Sequence, residues 1–529
     1  MVLRYCLALT ALLSVPTLAQ HHHASPPAEK PVVLLKGLGA HRHAIRTTNP
    51  QAQDFFNQGL VKLYGFNRYE ALRSFREASR LDPAALMPYW GMAMAQGPHI
   101  NMDMDEDVNL KAVCAALEAG RPHRANAPGR ERDYFDALAA KCPEYNPAAY
   151  VAAMKALAAK YPDDLDAATL YAESIMIPVR WRWWSPDGKP AAHMEECVRT
   201  LEAVMRRDPQ HPGANHFYIH AVEMSPSPER AIPSAQRLMG VVPAAGHLVH
   251  MPGHIWLLTG DYDIAADVNE RAAQVDREYM AATGVTGSSY MGYYVHNLHF
   301  VAYARSMQGR QADARKAADT IAAEAAKHTE AMPMMADAFV NMPVLVAVRF
   351  AQWEHVLALP QPDAKLVAST ALWHWGRALA LHAKGRPAAE EQRLFEQHRE
   401  KVPANWIWLN NKARDVLAVA SVVLNARLTD DVELWRKAVA LEDALVYDEP
   451  PAYFYPVRES LGGALLRAGR AAEAEAVFRE GLKLRPRNGR MLFGLLESLK
   501  KQGRDLATVQ QEFDRAWRRS DVRLSLHQL

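Results

Sequence analysis

Residues 455–486 carry the sequence YPVRESLGGALLRAGRAAEAEAVFREGLKLRP, which predicts a helix, a short turn, a second helix and a closing proline. The small, aromatic and closing positions of this segment are Gly462, Gly469, Ala474, Phe478, Gly481 and Pro486. Residues 52–83 repeat the arrangement with Gly59, Ala71, Phe75, Ala78 and Pro83. Further copies begin at residues 212, 246 and 489, and the steps from 212 to 246 and from 455 to 489 are both 34 residues. Self-similarity at a fixed period is typical of a protein built from stacked helical hairpins.

The 34-residue pattern resembles the tetratricopeptide repeat (TPR), in which helix A, a turn, helix B and a proline make up each unit. A single hairpin cannot bury its apolar stripe, so neighbouring units must stack on one another. The resemblance implies an all-α fold, a right-handed superhelical TPR solenoid, over residues 51–529. It also implies a concave groove lined by positions 2, 5, 9 and 12 of each helix A. We expect no β-sheet, because no stretch shows the alternation of a half-buried strand.

The composition excludes several classes of function. Hydrophobic residues make up 49% and charged residues 23% of the 529-residue chain, which rules out wholesale disorder. The 61 Lys and Arg residues nearly balance the 59 Asp and Glu residues, so no basic surplus favours nucleic-acid binding. No stretch after the N-terminus reaches the roughly 18 apolar residues of a membrane span. The sequence also lacks the Walker A, Gly-x-Ser-x-Gly, His-Glu-x-x-His and Cys-x-x-Cys motifs.

The first 19 residues have the pattern of a secretory signal peptide. Arg4 provides the positive charge, residues 5–15 form a short apolar run, and residues 17–19 fit a small-residue cleavage site. Residues 20–50 follow as a His- and Pro-rich segment that we expect to be flexible. The mature protein is therefore expected in the periplasm or in the medium, where Cys114 and Cys142 can pair and leave Cys197 free.

Histidines concentrate in the middle repeats and share positions within them. Once Gly, Ala and Pro fix the register, seven of the eight histidines in residues 211–299 fall at positions 2, 5 or 9 of helix A. They are His216, His220, His247, His250, His254, His296 and His299. Glu223 takes position 12 of its unit, and Glu173 takes position 9 of the unit that begins at Leu165. Because neighbouring A helices pack about 8–10 Å apart, we expect these side chains to converge on one centre.

Clustered imidazoles with a carboxylate are typical of a transition-metal site. We therefore predict one or two ions of copper, zinc or iron, bound by the seven histidines and Glu223 in the repeats that span residues 165–310. Pro252 interrupts helix A beside His250 and can leave His247 in a loop, so His247 ranks below the other ligands. Glu173 and Glu223 are the candidate general bases if they do not bind the metal.

Four segments resemble those of exported bacterial TPR proteins, a family that is mostly without an assigned function: residues 218–223, 250–254, 296–300 and 447–456. The resemblance implies the repeat fold and the pairing of the histidines with Glu223, but it supplies no activity. The leading hypothesis is a metalloenzyme that hydrolyses or oxidises a small-molecule or peptide ligand in the groove. The alternatives are a non-catalytic scaffold for a peptide or protein partner and a periplasmic protein for metal storage or delivery.

Overall fold

The computed structural model describes residues 30–101, 108–285 and 288–529, so the predicted signal peptide lies outside the described residues. In chain order, the α-helices of this part are α1 (Pro50–Tyr64), α2 (Arg68–Leu81), α3 (Met87–Met94), α4 (Leu110–Gly120), α5 (Gly129–Ala137), α6 (Pro147–Lys160), α7 (Leu165–Met176), α8 (Met194–Arg207), α9 (Pro212–Glu223), α10 (Ile232–Val241), α11 (Gly246–His250), α12 (Pro252–Leu258), α13 (Tyr262–Thr283), α14 (Ser288–Met307), α15 (Gln311–Ala326), α16 (Pro333–Phe339), α17 (Met342–Arg349), α18 (Trp353–Ala358), α19 (Val367–Ala383), α20 (Ala389–Lys401), α21 (Ala413–Thr429), α22 (Val432–Asp443), α23 (Val457–Arg467), α24 (Ala471–Leu484), α25 (Gly489–Lys501) and α26 (Ala507–Trp517).

The described chain is a solenoid of stacked helical hairpins, which confirms the predicted all-α fold class. Consecutive helices pack on each other, as α1 does on α2 and α23 on α24. Alternate helices also meet, as α7 does with α9 and α23 with α25, and these pairs are the A helices of successive units. The expectation of no β-sheet is wrong at one connection, where β1 (Ile407–Trp408) and β2 (Asn411–Lys412) form a short antiparallel hairpin. Among the described helices, none has both the length and the apolar character that crossing a membrane requires.

The recurring glycine and phenylalanine of the repeat pack against each other. A Cβ added to Gly462 on α23 would lie 2.3 Å from the ring of Phe478 on α24, and one added to Gly494 on α25 would lie 2.2 Å from it. Gly59 on α1 and Phe75 on α2 repeat this contact at 2.6 Å. The buried aromatic ring of helix B therefore fills the space that the glycines of two successive A helices leave open.

Replacing Gly462 by alanine should destabilise the protein, because the new methyl group meets the buried Phe478 ring. Overpacking of this kind costs about 1–3 kcal/mol of the free energy of unfolding. Gly240 on α10 is the matched control, since a Cβ there meets nothing within 4 Å. Alanine at Gly240 should leave stability unchanged or raise it by about 0.5–1 kcal/mol through helix propensity. Urea unfolding followed by circular dichroism measures both changes, and equal losses in the two variants would contradict this packing.

The segment before α1 is ordered along its described part. We expected residues 20–50 to be flexible, but residues 30–49 pack on α1 and on the turn after α10. The Leu35 backbone N–H donates to Gln58 Oε1 at 2.8 Å, and Gly37 O accepts from the Ala244 N–H at 3.0 Å. Leu38 is buried in the same contact. The Pro- and His-rich composition suggested that conformational entropy would keep this segment mobile. Backbone hydrogen bonds and apolar burial offset that entropy.

Cysteine pairing follows one of the arrangements that the sequence left open. Cys114 and Cys142 form a disulfide, with their Cα atoms 5.4 Å apart. Cys197 is a buried free thiol on α8, and its Sγ–H donates to Ala172 O at 3.4 Å. The disulfide links α4 to the segment that follows α5.

The concave side of the middle repeats is covered by other parts of the chain. Tyr447, between α22 and α23, donates its hydroxyl hydrogen to Glu223 on α9 at 3.4 Å. Arg487, just before α25, pairs with Asp261 at the start of α13. The groove predicted from the repeat pattern is therefore closed here, and side chains expected to line an open surface, such as His216 at 0% exposure, are buried.

Candidate metal centre

Three successive repeats bring the predicted histidines to one place. The helices α9, α11, α12 and α14 carry, in that order, His216 and His220, His247 and His250, His254, and His296 and His299. Pro252 has no amide hydrogen, and it separates α11 from α12 as the sequence predicts. The backbone of Met251 nevertheless keeps helical angles, with φ −51° and ψ −37°. Because α11 begins at Gly246, His247 stands on a helix rather than in a loop, so the reason for ranking it last does not hold.

Six of these histidines form two adjoining groups of three, which we call trio 1 and trio 2. Within each trio, one ring nitrogen of every member lies within 4.8 Å of the others. Trio 1 consists of His216, His220 and His247, and trio 2 consists of His250, His254 and His296. The ring centroids of His220 and His254 are 5.6 Å apart, and those of His247 and His250 are 5.4 Å apart. The two trios therefore form one continuous body of imidazole rings.

Hydrogen bonds in trio 1 fix which ring nitrogen is free. His216 donates its Nδ1 hydrogen to Tyr64 O at 2.6 Å, and His220 donates its Nδ1 hydrogen to Glu223 Oε1 at 2.6 Å. A neutral imidazole with its hydrogen on Nδ1 has a lone pair on Nε2. The Nε2 atoms of both rings are buried without a hydrogen-bond partner, and so are both ring nitrogens of His247. Four buried nitrogen atoms in trio 1 thus lack a protein partner.

Trio 2 shows the same arrangement around a closer contact. His250 donates its Nδ1 hydrogen to Asn269 Oδ1, and His254 donates its Nδ1 hydrogen to Glu223 Oε2, both at 2.6 Å. The Asn269 amide nitrogen is held by Ala265 O at 2.8 Å, which orients Oδ1 toward His250. The two Nε2 atoms then face each other at 2.9 Å with a lone pair each. Two lone pairs repel at this separation unless a cation lies beside them, and ligand atoms at right angles around a metal with bonds of about 2.05 Å lie roughly 2.9 Å apart.

Burial favours the neutral form of five of these imidazoles, and the neighbouring histidines keep the Glu223 carboxylate ionised. Burial, and after it the neighbouring rings, lowers the pKa of His216, His247, His250 and His296 well below the ordinary value. Burial also lowers the pKa of His220, against the opposing effect of Glu223. Burial opposes ionisation of Glu223, but His254 and His220 outweigh it and lower the pKa of this carboxyl to about 2. Neutral imidazole is the form that can bind a metal, so these five rings are suited to that role at neutral pH.

Glu223 lies behind the two trios and joins them. Each of its carboxylate oxygens accepts a hydrogen bond from a different histidine, one in each trio. A carboxylate behind a metal-binding imidazole fixes the tautomer and orientation of the ring and raises the basicity of the ligand. With both oxygens engaged, Glu223 is placed to orient His220 and His254.

Two predicted site residues belong to neither trio. His299 on α14 packs between the rings of Phe339 and Phe454, with centroids 5.4 and 6.1 Å away, and burial lowers its pKa to about 3. Glu173 on α7 is buried, and the charges that act on it are those of Lys141 and Arg68. Burial raises the pKa of Glu173 despite these two cations. The structure therefore brings together His216, His220, Glu223, His247, His250, His254 and His296, but neither His299 nor Glu173.

The sequence pattern did not identify the partners that orient the rings. Tyr64 contributes a backbone carbonyl from the end of α1, which no side-chain motif can reveal. Asn269 lies on α13, a B helix, where the register of the groove positions does not apply. Phe66, which follows α1, packs on trio 1 with its centroid 4.5 Å from that of His216. All three come from other helices or loops and are found only when the repeats are stacked.

Glu449 is a further carboxyl near trio 2. It belongs to the segment 447–456, one of the four that resemble exported bacterial TPR proteins, and the sequence did not predict where this segment lies in the fold. Its Oε1 is buried without a hydrogen-bond partner. Burial raises its pKa to about 7, and the charges of Arg485, His254 and Glu223 also act on it.

A second group of histidines, around Asp166, is a closed hydrogen-bond network. Asp166 accepts from the Tyr64 hydroxyl at 2.6 Å, and His41, His43 and His211 bond to the same carboxylate at 3.0, 2.7 and 3.2 Å. His211 Nδ1 accepts from the backbone N–H of residue 214 at 3.1 Å, so its hydrogen is on Nε2 and no lone pair faces Asp166. This network ties residues 41–43 to α7 and α9, and through Tyr64 it braces the carbonyl that orients His216.

Comparisons with known proteins give no functional assignment. No protein-family model matches the chain, and no curated protein matches it. Among solved structures, a human IFIT1 dimer with m7Gppp-AAAA is similar over 90% of this chain and 91% of its own, with 13% identity and a TM-score of 0.33. Yeast Tom70 is similar over 88% of this chain and 91% of its own, with 11% identity and a TM-score of 0.29. At such identities and scores, the ligands of these proteins carry no conclusion for this chain.

Proposed function

We propose that the protein is a metalloprotein in which the six histidines of trios 1 and 2 hold one or two transition-metal ions. The observation that carries this proposal is that His216, His220, His250 and His254 all have the same tautomer, with the hydrogen on Nδ1. Four rings turn the Nδ1 hydrogen outward to a fixed acceptor, which leaves their Nε2 lone pairs inside the cluster. Buried polar atoms without a partner cost about 1–3 kcal/mol each, and a bound cation removes that cost.

The ligand set favours copper, zinc or iron. Imidazole nitrogen suits these ions, whereas magnesium, calcium and manganese prefer carboxylate and carbonyl oxygen. The two trios offer only nitrogen ligands, because both oxygens of Glu223 accept hydrogen bonds from His220 and His254. In this proposal Glu223 orients the histidine ligands and does not bind the metal. The sequence had instead predicted a metal site of mixed His and Glu ligands.

We further propose a metalloenzyme of the hydrolytic or oxidative class. Each trio supplies three ligands, which is the number in catalytic zinc sites that keep a further position open for water or substrate. An ion there acts as a Lewis acid, and copper or iron can also change oxidation state. Metal storage or delivery is the alternative, which the burial of the rings favours, since five of the six are at most 7% exposed.

A test of the proposal separates binding from turnover. The full chain, without an affinity tag and with His21, His22 and His23 replaced by serine, is dialysed against Zn²⁺ or Cu²⁺ after removal of all metal. One or two retained ions per chain support the centre, and no retained ion refutes it. Hydrolysis of nitrophenyl esters or oxidation of phenols that stops on chelation supports the enzyme, whereas retained metal without turnover supports storage or delivery.

We also propose that the protein is exported and acts in the periplasm or in the medium. The signal-peptide pattern of residues 1–19 and the resemblance to exported bacterial TPR proteins support this localisation. The disulfide between Cys114 and Cys142 adds support, because such bonds persist in oxidising compartments. A fusion of residues 1–19 to a reporter that is active only after export tests the signal, and a reporter retained in the cytoplasm would refute it.

A further inference from the structure

A cavity of about 530 Å³ lies among the A helices of the C-terminal repeats, formed by residues other than those of the histidine centre. The helices α17, α19, α21, α23 and α25 contribute to its walls. Four arginines line it, namely Arg349, Arg427, Arg467 and Arg490. Two of them are buried, because the side chains of Arg349 and Arg490 are 1% and 6% exposed, and Arg427 and Arg467 are partly exposed. We call this cavity the arginine pocket.

The carboxylates of the arginine pocket do not balance its guanidinium groups. Arg467 forms a two-pronged pair with Asp430 at 2.8 and 2.7 Å. Arg349 and Arg490 share the single carboxylate of Glu459, at 3.1 and 2.8 Å. Two carboxylate side chains therefore face four guanidinium groups in the lining.

Arg427 is the guanidinium without a carboxylate side chain beside it. It donates to Ser460 Oγ at 2.9 Å and to Leu529 O at 2.6 Å. The other main-chain oxygens that close this side, Leu526 O and Gln528 O, accept from Arg467 and Arg490 but carry no charge.

The excess of positive charge is unfavourable in a buried site. The pKa of Arg490 is lowered to about 10, chiefly by burial, and the charges of Arg349 and Arg427 contribute to this shift while Glu459 opposes it. Burial also lowers the pKa of Arg427, and Arg467 adds to that effect. Taking an unpaired charge out of water costs several kcal/mol, which a bound anion offsets.

Beside the polar residues His382, Ser460, His527 and Gln528, part of the pocket wall is apolar and aromatic. Val348, Trp353, Leu379 and Tyr455 line it together with the arginines. A ligand that fills such a space presents an anionic group to the arginines and an apolar body to these side chains. The volume falls within the roughly 300–1,000 Å³ of small-molecule sites.

We propose that the arginine pocket binds a small molecule with a carboxylate or phosphate group on an apolar body. The planar guanidinium fork pairs with both groups through two parallel charge-assisted hydrogen bonds. The apolar walls select against inorganic anions of the same charge. This site is independent of the metal centre, because the two share no residue.

Calorimetric titration of the full chain in low-chloride buffer tests the proposal with benzoate, phenyl phosphate and uncharged benzamide. Benzoate or phenyl phosphate should bind, and the tighter of the two identifies the preferred anion. Benzamide should bind at least tenfold more weakly than that anion. R427Q should weaken anion binding tenfold or more, whereas R479Q, which removes a surface arginine on α24 that pairs with Glu475, should leave it unchanged.

A loss of fold in R427Q would show as a changed circular dichroism spectrum, and R427K then serves in its place. Lysine keeps the charge but lacks the two-pronged fork, so R427K should weaken anion binding severalfold. The proposal is overturned if neither anion binds at about 10 mM, a concentration that detects even very weak ligands. It is also overturned if benzamide matches the anions, or if binding is the same in R427Q, R427K and R479Q.

Discussion

Replacing His220 and His254 together by asparagine should remove the bound metal while the helical content of the chain stays nearly unchanged. One Nε2 ligand is lost from each trio, so neither trio keeps three imidazoles. The asparagine amide nitrogen stands close to the position of Nδ1 and can still donate to Glu223, so the buried carboxylate is not left unpaired. At equal free metal, the variant should retain less than about a tenth of the wild-type content, as expected when ligands are deleted from a site of this kind.

The matched control removes a pair of histidines outside the centre. His374 on α19 and His398 on α20 are stacked with centroids 5.1 Å apart, and His374 pairs with Glu391 at 2.7 Å. Their double replacement by asparagine should leave the metal content unchanged. Elemental analysis after dialysis measures both variants, and circular dichroism reports the helical content. Equal metal loss in the two variants would show that histidine number, rather than this geometry, governs retention.

Replacing Glu223 by glutamine should weaken metal binding by about 10- to 100-fold, the effect expected when the partner of a ligating histidine is lost. The carboxylate accepts two Nδ1 hydrogens, but the glutamine amide has only one acceptor oxygen. Either His220 or His254 must then move its hydrogen to Nε2 or turn away, and that ring stops being a ligand. Competition with a chelator of known affinity measures the change.

Glu173→Gln is the control for that variant, because both carboxylates are buried and were candidate bases on the sequence. Glu173 interacts with Lys141 and Arg68 instead of the histidines. Its replacement should alter the stability of the protein but leave the metal affinity within about twofold, since it contacts no ligand. A larger loss of metal affinity in E173Q than in E223Q would contradict the role assigned to Glu223.

The fold could be predicted from the sequence because each repeat carries the same local pattern of small and aromatic residues. The same glycine and phenylalanine positions recur, and Gly462 and Phe478 meet in the structure as the pattern requires. What could not be predicted is how the stack closes on itself. The contact of Tyr447 with Glu223 joins residues 224 positions apart, and no periodicity encodes it. The order of residues 30–49 depends on similar distant contacts, such as that of Gly37 with Ala244.

The clustered histidines could be placed on one face by their spacing, but which of them meet, and what each one does, could not be predicted. His299 shares its repeat position with His216 and His250, yet it belongs to neither trio, and its ring packs against Phe339 and Phe454. His247 was ranked last because Pro252 suggested a loop, but α11 already begins at Gly246 and includes His247. The direction of a ring depends on an acceptor on another helix, and such acceptors become visible only when the repeats are packed.

X-ray absorption of the metal-loaded protein, with His21, His22 and His23 replaced by serine, tests the central claim most directly. We expect nitrogen ligands at about 2.0–2.1 Å from the metal, with the longer-range scattering of imidazole rings, from at least three rings per ion. A shell made mostly of oxygen, or fewer than three imidazoles per ion, would contradict this expectation.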